Sequence, residues 1–201
     1  MKTKPNWLAR NAANMITLSA FPICFVLLWV VIVHRNWTLT ILFLVTAIFL
    51  TDFFDGRVAR YFKTISSFGA AADRLRDKLV MGIMFAFLLL DGRIHITLKV
   101  LTVPLAVVEI ALLMIWFAEV KKKTDASAGR SGKIKMFLMS AATLLMLLNL
   151  IIEERWGQEY HLLATVFLDS LFLISLFFAV KSYLGHRAKH RAQLSAQLGQ
   201  A

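Results

Sequence analysis

The chain has 201 residues, 59% of them hydrophobic, with a mean hydropathy of +0.68. A water-soluble domain is about 45–50% apolar, so composition points to a membrane protein. The formal net charge of +11 invites a nucleic-acid partner, but the placement of the charges assigns them to loops flanking a bilayer instead.

Crossing about 30 Å of hydrocarbon as helix takes roughly 20 apolar residues. Continuous runs near that length predict six spans, at about 13–33, 38–58, 69–91, 98–119, 136–152 and 161–181. Transmembrane β-strands would be shorter and would alternate in polarity. The predicted fold is therefore an all-α, polytopic membrane protein, a six-transmembrane-helix bundle. The basic start MKTKPNWLARNAAN precedes a run long enough to span, with no small-residue cleavage site behind it, and reads as a retained helix. The single cysteine, Cys24, lies in that helix, so neither a disulfide framework nor a thiolate metal site is available.

Spans two and three enclose the most charged stretch of the chain, taken up below. Span four carries Glu109 and span six Asp169, each near its middle. A carboxyl at the bilayer centre costs about 2.5–3.5 kcal/mol on insertion scales, so each is expected to face the bundle interior or a water-filled cavity. Their expected role is packing, protonated or hydrogen-bonded, with Asn149, Ser140 and Thr143 as candidate partners. The segment EVKKKTDASAGRSGKIK, residues 119–135, is cationic and bears glycine and serine. It suits anions or lipid headgroups, or serves only as positive-inside charge. Residues 1–181 read as one membrane domain, and 182–201 as a short basic tail.

With the amino terminus in the cytoplasm, all of the 23 basic residues except Arg35, Arg93, Lys99 and Arg155 fall on the cytoplasmic side. The positive-inside rule then puts both termini there, which an even number of spans requires.

The charged stretch, residues 51–78, reads TDFFDGRVARYFKTISSFGAAADRLRDK. Asp52 and Asp55 close the second span; Asp73 and Asp77 open the third. Spacings of three and four put each pair on one helix face, and a turn near residues 66–69 would bring the two faces together. Four carboxylates so close repel strongly unless protonated or neutralised, and a hard divalent cation, or two, resolves this. Gly56, Ala59, Gly69, Ala70, Ala71 and Ala72 remove bulk where a ligand or helix would approach, and Arg60 supplies a forked donor for phosphate. Together these suit phosphoryl transfer at the membrane surface. The bland reading is a charged interface, with Asp73, Arg74, Arg76, Asp77 and Lys78 in exposed ion pairs.

The pattern D-x2-D-G-x2-A-R-x8-G-x3-D-x3-D is met at every fixed position: Asp52, Asp55, Gly56, Ala59, Arg60, Gly69, Asp73 and Asp77. Chance would give such a match on the order of once in 10⁹ starts. It resembles the signature of the CDP-alcohol phosphotransferase family, membrane enzymes that pass a phosphate-linked group from a CDP-activated donor to an alcohol and release CMP. The resemblance implies Asp52, Asp55, Asp73 and Asp77 as ligands of Mg²⁺ or Mn²⁺, two ions in all, with Asp77 also the base toward the acceptor hydroxyl. It implies Gly56, Ala59, Arg60, Gly69 and Ser66 at the CDP-diacylglycerol donor. The family's upstream Asn-x-hydrophobic-Thr motif is similar to Asn14-Met15-Ile16-Thr17-Leu18, which adds Met15, Ile16, Thr17 and Leu18 to the donor pocket.

The segment Gly132-Lys133-Ile134-Lys135 resembles a Gly-Lys-x-Lys motif of bacterial members that use phosphorylated acceptors, chiefly phosphatidylglycerophosphate synthases. Glycerol 3-phosphate is then the expected acceptor, its phosphate held by Arg130, Lys133 and Lys135. Met136 stands where those enzymes usually have threonine, and Ala20 where they commonly have arginine. Inositol phosphate, serine, phosphatidylglycerol or another alcohol are the rival acceptors. The family resemblance also implies a homodimer in a bacterial inner membrane, with its active site on the cytoplasmic side. A cation transporter is the rival of a different class, motivated by Glu109 and Asp169. It would need ionisable residues along a continuous path, whereas the acids concentrate at one interface. A silent scaffold is the third reading, and the intact signature argues against it.

Overall fold

A computed structural model of the chain describes residues 7–62, 67–121, 130–157 and 161–198, all but a few of them helical. Six α-helices follow in order: α1 (Trp7–Val33), α2 (Thr38–Phe62), α3 (Ser67–Leu90), α4 (Ile96–Lys121), α5 (Arg130–Trp156) and α6 (His161–Leu198). Three carry stretches long and apolar enough to cross a membrane, Ile96–Ala118, Gly132–Trp156 and Leu162–Ala188. Shorter apolar stretches occupy Leu18–Val33 in α1 and Thr38–Phe54 in α2.

The helices outrun the apolar runs that announce them. α1 starts before residue 13, α5 starts six residues before 136, and α6 continues from 181 to Leu198. Hydropathy marks only the part matched to hydrocarbon. The flanking residues are polar but good helix formers, as in HRAKHRAQLSAQL, so the backbone continues without a break. The segment read as a tail is thus mostly the end of α6. The expected turn at 66–69 overlaps a helix: residues 67–69 form the first turn of α3, and Ser66 lies outside the described residues.

Two compact units result, one running through Asp91 and the other from Gly92 onward. In the first, α1 packs on both α2 and α3. Its core is a set of helical stripes: Ala20, Cys24, Leu27 and Val31 on α1, Ile41, Val45 and Ile48 on α2, and Val80, Met84, Phe87 and Leu88 on α3. Repeats of three and four residues put each set on one helix face. In the second unit α6 packs on α4 and α5. The buried stripe of α4 reads Leu98, Thr102, Leu105, Glu109, Leu112; that of α5 reads Lys135, Met139, Ala142, Met146, Leu150. Both stripes therefore carry a charged residue among apolar ones.

Outside these stripes the helices remain greasy. Phe43, Met114, Phe137, Leu162 and Leu163 are among many large apolar side chains left exposed. A soluble protein rarely shows contiguous apolar patches beyond a few hundred Å². These faces suit lipid, and the chain is a membrane protein. α5 ends in a left-handed cap: the N–H of Gly157, at φ 82°, donates to Glu153 O at 3.1 Å.

Candidate metal centre

Asp52 sits just past the middle of α2, while Asp73 and Asp77 occupy the first half of α3. One carboxylate oxygen from each lies within 4.8 Å of the others. Between them is the guanidinium of Arg76. Its Nη2 donates to Oδ1 of Asp52 and Oδ1 of Asp73, and reaches Asp77 Oδ1 at 3.1 Å. The Arg76 side chain is wholly buried, whereas the three carboxylates are 49%, 38% and 33% exposed in that order. The cluster is therefore open on its carboxylate side and closed on its guanidinium side.

This arrangement corrects the reading of Arg76 as part of an exposed interface. The Arg76 side chain is fully buried, and the acids replace the lost hydration at Nη2. The available signal was the spacing of three between Asp73 and Arg76, which places them on neighbouring faces of one helix. The ion pair to Asp52, 24 residues away, had no counterpart in the sequence.

The donor set fits a hard cation. Opposite oxygens of a six-coordinate ion lie about 4–5 Å apart, for bonds of about 2.0–2.6 Å, which the observed separation accommodates. One guanidinium does not neutralise three carboxylates, so the cluster retains an electrostatic preference for further positive charge.

The other expected site residues divide as follows. Asp55, Gly56, Ala59 and Arg60 belong to α2, but their side chains lie outside the described residues, as does Ser66 entirely. Gly69 is on α3, half-buried. Met15 and Leu18 lie on α1 and are exposed; Ile16 and Thr17 share that helix, with side chains outside the described residues. Arg130 opens α5, its side chain likewise outside them, and Lys133 is exposed. Lys135 is not open to solvent: it is 3% exposed, and its Nζ pairs with Oε1 of Glu109, itself 5% exposed.

That pair also revises the expected partners of the intramembrane acids. Glu109 meets Lys135 rather than Asn149, Ser140 or Thr143, because both lie on the buried stripes of their helices. Asn149 donates to Glu153 at 2.7 Å, one turn along α5. Asp169 keeps a buried Oδ1 with no hydrogen-bond partner among the described residues.

Comparison with known proteins adds an independent line. The family model described as CDP-alcohol phosphatidyltransferase matches residues 10–180. Three curated relatives share the name CDP-diacylglycerol–glycerol-3-phosphate 3-phosphatidyltransferase. That of Yersinia enterocolitica is 35% identical over 88 residues, covering 42% of this chain and 47% of the relative. Those of Sodalis glossinidius and Pectobacterium atrosepticum are each 34% identical over 89 residues, covering 43% of this chain and 48% of the relative. The chain spans about half the length of the curated relatives it matches. No solved structure matches.

Proposed function

Because the chain belongs to the CDP-alcohol phosphatidyltransferase family, we propose that it transfers the phosphatidyl group of CDP-diacylglycerol to glycerol 3-phosphate. The observation that carries this reading is the convergence of Asp52, Asp73 and Asp77 from two helices. The names of the relatives supply the substrates.

Asp77 takes the proton of the acceptor hydroxyl as its oxygen attacks the phosphorus that bears diacylglycerol. A new P–O bond forms, the bond to CMP breaks, and CMP leaves with the electron pair as a phosphate anion. Asp52, Asp55 and Asp73, with Asp77, would hold two divalent ions, Mg²⁺ or Mn²⁺. Bound there, such ions neutralise the donor diphosphate and the charge that develops on CMP. Gly56 and Ala59 leave room for the nucleotide, Arg60 grips phosphate with its fork, and Gly69 and Ser66 complete the diphosphate contacts. Met15, Ile16, Thr17 and Leu18 line the donor pocket from α1. Arg130 and Lys133 hold the acceptor phosphate, joined by Lys135 once it leaves Glu109. Positioning and electrostatics supply most of the catalysis, as is general for phosphoryl transfer.

The six helices form one membrane-embedded catalytic domain with both termini cytoplasmic, acting as a homodimer in a bacterial inner membrane. A site at the cytoplasmic surface lets the donor keep its acyl chains in lipid while its nucleotide reaches water.

The test offers radiolabelled CDP-diacylglycerol with glycerol 3-phosphate, inositol phosphate, serine or phosphatidylglycerol, with and without Mg²⁺ or Mn²⁺. Labelled phosphatidylglycerophosphate with CMP, only when metal is present, is the expected product. A labelled product from another acceptor alone would replace the acceptor. CMP release that is indifferent to chelation would sink the metal-dependent mechanism.

A further inference from the structure

Arg76 occupies a variable position of the signature, yet it is the most deeply buried charged side chain among the described residues. Removing a guanidinium from water costs several kcal/mol unless close partners compensate. Here the partners are three carboxylates from two helices, all meeting one nitrogen, Nη2. These are the same three residues whose oxygens converge closely enough to hold a cation. An ion bonded to them at about 2.0–2.6 Å would stand where Nη2 stands, and two positive centres do not share one cradle.

We infer that Arg76 is a resident counter-cation that holds the three-carboxylate cluster together without a divalent ion, and that metal loading exchanges the ion for the guanidinium. With neither present, Asp52, Asp73 and Asp77 would repel and push the second half of α2 away from α3. With either present, the two helices stay together. Arg76 therefore sets the metal affinity of the site, trading tighter binding for a cluster that keeps its shape when empty. This inference rests on the metal-dependent reading of the cluster and concerns how the ion enters, apart from the transfer reaction.

Mn²⁺ binding to the purified full-length protein in detergent micelles tests it, by calorimetry and by the spin-resonance signal of the ion, alongside thermal unfolding with and without Mn²⁺. Arg76→Met removes the charge at similar length and is expected to bind Mn²⁺ at least about tenfold tighter than wild type. Its metal-free form should unfold at a lower temperature, and Mn²⁺ should raise that temperature by more than it does in wild type. Arg76→Lys keeps a charge but loses the fork, and its affinity should fall between the two. Arg76→Lys also carries the test if Arg76→Met does not fold. Affinity in either variant equal to or weaker than wild type overturns the exchange alone, provided that Asp52→Asn abolishes Mn²⁺ binding in an otherwise wild-type chain. Absence of Mn²⁺ binding in every form overturns the exchange together with the metal-dependent reading.

Discussion

Among the described residues Arg76 and Lys135 are the two buried cations, and each meets carboxylate: Arg76 those of Asp52, Asp73 and Asp77, Lys135 that of Glu109. The convergence of Asp52, Asp73 and Asp77 was legible from spacing, because separations of three and four residues are helix-face separations and carboxylates in such numbers call for a cation. Arg76 was not, because a charged residue beside acids at a helix start looks the same whether it points to water or into the bundle. Its burial depends on Asp52, which another helix brings in. If Asp77 is the base, Asp77→Asn should cut CMP release by about two to four orders of magnitude while the protein still elutes as a folded species on size exclusion. An unchanged rate would remove Asp77 from that role. The second pair makes a different prediction. Breaking a buried ion pair leaves an uncompensated charge and costs about 3–5 kcal/mol, whereas replacing both members by apolar residues is nearly neutral or stabilising. Glu109→Gln and Lys135→Met should each lower the unfolding temperature in detergent, and the double variant Glu109→Leu with Lys135→Met should recover most of the loss. Additive losses would mean that the two side chains do not depend on each other.

At the scale of elements, all six helices were legible because apolar runs near span length leave few alternatives to helix in a bilayer. Their ends were not. Hydropathy falls where hydrocarbon ends, but the helix ends where a cap or a left-handed residue stops it, as Gly157 does for α5. In α6 nothing stops the helix at 181, since the residues beyond favour helix and carry no proline. The faces of the helices were partly legible too. Glu109 and Lys135 were each visible as a polar residue in or beside an apolar segment. That both fall on the buried stripes, and so meet, required α6, on which α4 and α5 both pack. Asp169 shows the converse: it was expected to face the bundle interior or a cavity, protonated or hydrogen-bonded, and its buried Oδ1 has no hydrogen-bond partner among the described residues.

At the scale of the whole molecule, the apolar exterior and the family match make this a membrane protein of the CDP-alcohol phosphatidyltransferase family. The distribution of Lys and Arg makes a topological prediction. Alkaline phosphatase fused to the carboxyl terminus should be inactive in a bacterial host, and a green fluorescent protein fused there should fluoresce, since the first needs export and the second the cytoplasm. The opposite pattern would reverse the topology and put the carboxylate cluster on the outer face. Composition, run length and the eight-position signature were enough by themselves to decide membrane class, helical fold and family, because each is a property of residues near one another along the chain. Only tertiary structure decided that Asp52, Asp73 and Asp77 share one guanidinium and that Lys135 is taken by Glu109. Those contacts join different helices, and a buried charge finds its partner by where the helices pack, which sequence spacing does not encode.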